Sequence, residues 1–261
     1  MNRRLYTLSW LFVFLCITSA AFCQQAQRTL KVLTYNIHHA NPPSKPGVID
    51  VNAVAKVISE SGADLVALQE IDVHTLRCGK DLDEAAELAK LSGLKFYYFA
   101  KSRDWEGGDY GLAILSKFPI LHSETLPLPL EDGEHRSLGA IIIEPVPGKK
   151  ILFADTHLDL KPSNRVLQVK AIKDYFAKQD LPAILCGDFN STPDSETIRS
   201  LDQMFQRSSI ASGLTFPMDK PDREIDFVMV RPGEKFSVKN HVVIPEQYAS
   251  DHRPVSVTLS Y

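Results

Sequence analysis

Short β-rich runs alternate along this chain with stretches whose apolar residues recur every three or four positions. Leu30–Asn36 reads as a strand, and Val51, Val54, Ala55 and Ile58 then follow Asp50, a suitable N-cap, at helical spacing until Gly62. Asp64–Glu70 is apolar along most of its length, which predicts a central strand delivering Gln69 and Glu70 at its carboxyl end. Leu82, Ala85, Ala86 and Ala89 make a second helix closed by Gly93. Strands follow at Tyr110–Leu115, Leu138–Glu144 and Ile151–His157, separated by turn signals such as Pro145-Val-Pro-Gly148. A third helix starts near Ser163 and buries Val169, Ile172 and Phe176. Next come an apolar strand at Ala183–Asp188, Pro193, a short helix with Ile198 and Leu201, and strands at Ile225–Val230 and Pro254–Leu259. Some strands follow one another with no helix between them, so the pattern predicts α/β architecture with two mixed sheets packed face to face and helices outside. There is no repeat and no Gly/Ser linker, which predicts one domain.

The first residues stand apart from this pattern. Arg3 and Arg4 precede an apolar run from Leu5 to Ala21 that closes on small residues, the make-up of a secretory signal peptide. Thr7, Ser9, Thr18 and Ser19 interrupt the run, so a permanent membrane span is the weaker reading. Cleavage is placed after Cys23, giving a leader at 1–23 and a domain at 24–261, with a secreted or periplasmic destination. A lipid-anchored Cys23 is the other possibility, but bulky Phe22 fits it poorly. The chain carries 29 basic and 32 acidic residues; loss of Arg3 and Arg4 leaves 27 basic ones, a net charge of −5. That balance disfavours charge-driven gripping of a nucleic-acid duplex. Only Cys78 and Cys186 remain after cleavage, too few for a disulfide framework, and whether they are bridged is left open. At 261 residues with 44% hydrophobic content the chain needs no metal merely to fold, so any metal serves chemistry.

Polar and acidic residues recur at the ends of apolar strands: Asn36, Glu70, Asp155 and His157, Asp188 and Asn190, Asp226, then Asp251 and His252. Singly, each has an ordinary reading as a turn residue, a surface carboxylate or an Asx turn. Together they predict sheet edges that converge on a polar site suited to a divalent cation. No His-Glu-x-x-His or Cys-x-x-Cys is present to argue for zinc. The adjacent His38 and His39 are expected to be solvated, with no catalytic role. Trp105-Glu-Gly-Gly-Asp-Tyr110 predicts a mobile loop whose aromatics could wall a substrate site.

Leu33-Thr-Tyr-Asn36, Leu68-Gln-Glu70, Thr156-His-Leu158, Gly187-Asp-Phe-Asn190, Ile225-Asp-Phe227 and Ser250-Asp-His252 stand in the order used by the endonuclease/exonuclease/phosphatase superfamily. The chain resembles that deoxyribonuclease I-like group from about Leu30 to Leu259. The resemblance implies a four-layer sandwich and a Mg²⁺- or Mn²⁺-dependent phosphoesterase. It makes Glu70 the principal metal ligand, with Asn36 beside it and Asp251 facing the metal. Asp188 then orients or deprotonates the attacking water, Asn190 and His157 contact phosphoryl oxygens, and His252 contacts phosphate while held in its tautomer by Asp226. Arg136, and Arg165 with Gln168 on the third helix, are further candidates for clamping phosphate. The substrate implied is a phosphoester, whether a small molecule, a lipid headgroup or nucleic acid, with a secreted nuclease as the alternative. No stable protein partner is implied and a monomer is expected. A non-catalytic binder on the same fold is the rival class.

Overall fold

The computed structural model describes residues 28–209, 211, 213–233 and 236–261; the expected leader at 1–23 lies outside them. In chain order the elements are β1 (Thr29–Asn36), a 3₁₀ turn (His38–Ala40), α1 (Val51–Ser61), β2 (Leu65–Val73), α2 (Glu84–Ser92), β3 (Phe96–Trp105), β4 (Gly108–Ser116), β5 (Ile120–Pro127), β6 (Ser137–Val146), β7 (Lys149–His157), α3 (Pro162–Phe176), β8 (Ala183–Asp188), α4 (Glu196–Leu201), β9 (Gln206–Arg207), β10 (Asp226–Val230), β11 (Ser237–Val243) and β12 (Val255–Ser260). The strands form two six-stranded mixed sheets, ordered β11-β12-β1-β2-β4-β3 and β5-β6-β7-β8-β10-β9. Each has one parallel pair, β1 with β2 and β7 with β8, joined through a helix. Among the described residues no helix is long and apolar enough to cross a membrane.

The strand alternation of side chains sorts the core into three slabs. Leu30 and Val32 of β1, Leu65 and Ala67 of β2, Phe153 of β7, and Ile184 and Cys186 of β8 fill the space between the sheets. Leu33, Tyr35, Val66 and Leu68 face outward onto Val54 and Ile58 of α1 and Leu88 of α2. On the far side Leu152, Ala154 and Leu185 meet Val169, Ile172 and Phe176 of α3. Four layers result, helix on sheet on sheet on helix, and Phe153→Ala at the centre would cost about 3–5 kcal/mol. Local chemistry ends the helices where the pattern predicts. Asp50 accepts from the amide of Ala53, Asp83 from that of Ala86, and Gly62 and Gly93 close α1 and α2 in the left-handed conformation.

One expectation needs correction here. Trp105–Tyr110 is not a loop: β3 ends at Trp105 and β4 begins at Gly108, leaving a tight Glu106-Gly107 turn with φ of 44° and 72°. Gly108 is required there, since a Cβ would lie 2.4 Å from the carbonyl carbon of His74. The possible bridge between cysteines is also settled, as Cys78 and Cys186 are both free thiols.

Candidate functional site

Period-two alternation carries the polar strand ends to one place. Thr34 and Asn36 continue the inter-sheet face of β1, Asp155 and His157 that of β7, Asp188 that of β8 and Asp226 that of β10, where the two sheets part. Register aligns them further, because His157 pairs with Asp188 across β7 and β8, and Asp226 pairs with Asp188 across β10 and β8. A cleft of about 430 Å³ opens above them.

Glu70 reaches the cleft by breaking that alternation. Gln69 pairs with Leu112 and Ile71 with Gly111, so Glu70 is the extra residue of a β-bulge, with a φ of 62°. Without the bulge its side chain would point toward the helices beside Leu68. Gln69 stays between the sheets, donating to Asp155 Oδ1 at 2.6 Å and to Thr34 Oγ1 at 3.2 Å. Burial pushes the Asp155 carboxyl well above the usual range.

Asn36 joins the two halves of the site: its Nδ2 donates to Glu70 Oε1 and to Asp188 Oδ2, each at 3.1 Å. His39 Nδ1 lies 3.2 Å from Glu70 Oε2. Burial opposes ionisation of Glu70, but the hydrogen bonds from His39 and Asn36 hold it far below the usual carboxylate range. The expectation of solvated histidines is therefore wrong. His38, His39 and Ala40 all adopt positive φ, a left-handed turn that swings the His39 ring onto Glu70. The Asn36–His39 spacing is the sequence signal that could have found it.

Asp188 is buried, with Oδ1 accepting from the Asn190 amide at 2.9 Å and Oδ2 lying 3.4 Å from His157 Nε2 and 3.7 Å from His252 Nε2. Burial and the Asp226 carboxylate push it up to about 7. His252 Nδ1 donates to Asp226 Oδ2 at 2.9 Å, and although burial opposes it, Asp226 raises this imidazole to about 10. Ser250 Oγ donates to the Asn36 carbonyl and accepts from the His252 amide, tying the Ser-Asp-His loop to the end of β1. Asn190, at a φ of 45°, donates from Nδ2 to the Leu158 carbonyl and lines the cleft, as does Asp251. Arg136 is buried and donates from Nη1 to His157 Nδ1 at 3.0 Å. Burial and that cation push His157 well below its ordinary range, so it is neutral with its proton on Nε2.

Arg165 and Gln168 sit elsewhere. Arg165 Nη1 donates to the carbonyls of Asp159 and Leu160, Gln168 Oε1 accepts from the Asp159 amide, and neither lines the cleft. They brace the loop between β7 and α3, because their helix runs beneath it. Sequence reasoning missed Arg77, which lines the cleft with Arg103.

Among the described residues, two carboxylate groupings could hold a cation. Asp188, Asp226 and His252 place ligand atoms within 4.8 Å of one another, as do Asp72, Cys78 and Glu84. The second is already compensated: Arg77 bonds Asp72 twice, at 2.8 and 3.0 Å, and burial raises Glu84 to about 8. Asp188, Asp226 and Asp251 stand near the His252 imidazolium, and Glu70 and Asp251 line the cleft. Glu70 and Asp251 are hard oxygen donors, so this end fits a divalent cation of the Mg²⁺ class, with Asn36 beside it turning Nδ2 to Glu70 and Oδ1 to the His38 amide.

The sequence model of the Endonuclease/Exonuclease/phosphatase family matches residues 33–252. The chain is 26% identical over 250 residues to the uncharacterized protein YbhP of Escherichia coli (strain K12), covering 90% of this chain and 98% of that one. An endonuclease/exonuclease/phosphatase structure from Beutenbergia cavernae DSM 12333 superposes with a TM-score of 0.72 at 26% identity, over 90% of this chain and 72% of that one. The mannosyl-6-phosphatase Bt3783 of Bacteroides thetaiotaomicron VPI-5482 shares the fold with a TM-score of 0.72 at 21% identity, over 89% of this chain and all of the other.

Proposed function

The chain belongs to the endonuclease/exonuclease/phosphatase family, and we propose that it is a divalent-cation-dependent hydrolase of phosphoesters, exported by its leader to the periplasm or the medium. The observation that carries this reading is the convergence of Asp188, His157 and His252 on one point. A carboxylate able to orient water lies within 3.7 Å of two imidazole Nε2 atoms, next to a carboxylate fit for a cation. Glu70, Asn36 and Asp251 would hold Mg²⁺ or Mn²⁺, whose charge neutralises a phosphoryl oxygen and eases departure of the leaving oxygen. Asp188, ionised above about pH 7, orients the attacking water and takes its proton. Neutral His157 offers an Nε2–H to a phosphoryl oxygen, and His252, held as imidazolium by Asp226, offers a charged one. Asn190 holds the turn after β8 that fixes Asp188. Water attack on phosphorus thus meets a preorganised set of donors on the side where negative charge grows.

The test is a panel of generic diester, sugar phosphate, sphingolipid, RNA and plasmid DNA, each with Mg²⁺, Mn²⁺ or chelator. Metal-dependent turnover of at least one class that is lost in Asp188→Ala supports the reading. No turnover of any class with either metal rejects it in favour of a phosphate-binding protein.

A further inference from the structure

One wall of the cleft carries charge that water attack at Asp188 does not use. Arg77, Arg103 and Arg136 line it with Trp105 and Tyr110. Arg103 lies over the Trp105 ring at 4.2 Å and the Tyr110 ring at 4.9 Å, and Arg77 lies 5.9 Å from both. Stacking fixes these guanidinium planes in advance, which lowers the entropic cost of gripping an anion. Arg77 is fixed from behind by its two bonds to Asp72.

Between two of these cations sits the protein's own carboxylate. Glu134 Oε1 lies 3.2 Å from Arg103 Nη2 and Glu134 Oε2 lies 3.1 Å from Arg136 Nη2. Both distances are longer than good charge-assisted hydrogen bonds, and the Glu134 side chain is 46% exposed. A pair so open to water is weak and exchangeable. Three donors of the same wall, Arg103 Nε, Arg136 Nε and Trp105 Nε1, are buried without a hydrogen-bond partner. Arg136 is itself only 6% exposed. Buried donors are normally satisfied, so this wall is short of an acceptor that Glu134 does not supply. Glu134 and Arg103 also border a neighbouring depression lined by Lys101 and His135, into which the glutamate could withdraw.

Resting on the phosphoesterase reading, we infer that Arg103, Arg136 and Arg77 form a subsite for a second phosphate of the substrate, for which Glu134 stands in when the cleft is empty. The spacing sets the class. Arg136 spans the two positions, with Nη1 on His157 and Nη2 on Glu134. The second phosphate therefore lies beyond the width of both the guanidinium and the imidazole ring from His157 Nε2, the donor that meets the first. That suits a phosphoester whose two phosphates are several atoms apart: a flexible diol bisphosphate, or a short nucleic-acid end whose 5′-phosphate stands one nucleoside from the scissile phosphate.

The experiment compares kcat/KM for 1,4-butanediol bisphosphate against 4-hydroxybutyl phosphate, and for a 5′-phosphorylated dinucleotide against its unphosphorylated form. Wild type, Arg103→Met and Glu134→Gln are used as full chains, with melting curves as a control. Calorimetric binding of inorganic pyrophosphate to the metal-free protein is measured in parallel. The doubly phosphorylated member of one pair should be preferred by at least about tenfold, the worth of one charged hydrogen bond. Arg103→Met should erase that preference, while Glu134→Gln should tighten pyrophosphate binding. The responding pair tells a small bisphosphate from a nucleic-acid end. Turnover without preference in either pair, or a preference that survives Arg103→Met, overturns the subsite and leaves hydrolysis standing. If Arg103→Met misfolds, unchanged pyrophosphate binding in Glu134→Gln overturns it. Absence of any turnover rejects the hydrolase reading, and pyrophosphate binding then decides the subsite alone.

Discussion

Arg136 donates from Nη1 to His157 Nδ1 across 3.0 Å, a cation bonded to an imidazole that must stay neutral to accept. Both side chains are buried, so the contact fixes the tautomer as well as the charge. Replacing Arg136 by Met removes the acceptor requirement and the positive charge together. The His157 pKa, depressed by burial and by that guanidinium, should then rise, which the ring's own titration reads, since Asp188 sets the acid limb of the rate. Turnover at neutral pH should fall about 10–10²-fold, the range of a misplaced proton donor. Imidazole ¹⁵N shifts check the assignment: a His157 that remains the Nε2–H tautomer with unchanged titration in the variant defeats it.

The Asp226–His252 pair makes a second claim. At 2.9 Å Asp226 helps raise His252 to about 10, so the ring is charged at neutral pH. Asp226→Asn should bring it back toward the ordinary value near 6.5, leaving most of it neutral at pH 7.5. Asp226→Asn and His252→Ala should each cost about 10²–10⁴ in kcat, and the double variant little more than the worse single one. Additive losses in this cycle would show that the two residues act separately.

What could be read from sequence followed burial. The eight interior strands of the two sheets were all legible, because Val66, Phe153 or Val228 had to be apolar to fill a slab between layers. The four missed strands, β3, β5, β9 and β11, are the sheet edges, where one face meets water and residues such as Lys101, His122 and Asn240 dilute the pattern. The floor of the site was legible because its residues interrupt buried runs. The Arg77 side of the wall was not, since it comes from a loop after β2. Arg165 misled for the opposite reason: helical spacing shows which residues share a face but not what lies over it.

The bulge at Glu70 predicts a separation of binding from folding. Glu70→Gln keeps the size and the hydrogen bond from Asn36 Nδ2 but gives up the charge that His39 and Asn36 stabilise, so it should stay folded with a lower melting temperature without metal. What is lost is the charge that a hard cation needs. Calorimetry with Mn²⁺ should find at least about tenfold weaker binding, and the metal-induced rise in melting temperature should vanish. Wild-type Mn²⁺ affinity in this variant would move the cation to the Asp188, Asp226 and His252 grouping.

Glu84 gives a prediction about stability. Its carboxyl is fully buried, accepts from the Asp72 amide through Oε2 at 2.8 Å and leaves Oε1 unpartnered. Burial raises it from 4.5 to about 8, with the Asp72 charge adding to the rise. An acid whose folded pKa lies above its unfolded value binds more protons when folded, so stability falls as pH climbs from 4.5 toward 8 and levels off beyond. The stabilising form is the protonated one, present in full only below the unfolded value. Glu84→Gln imitates that neutral form and can still accept from the Asp72 amide. The variant should match wild type near pH 5 and exceed it at pH 8.5 by a few kcal/mol at most, on the order set by the shift. Denaturant melts at the two pH values measure the difference directly. A gap between variant and wild type that does not widen with pH would mean Glu84 is already ionised in the fold, balanced by Arg77 across Asp72.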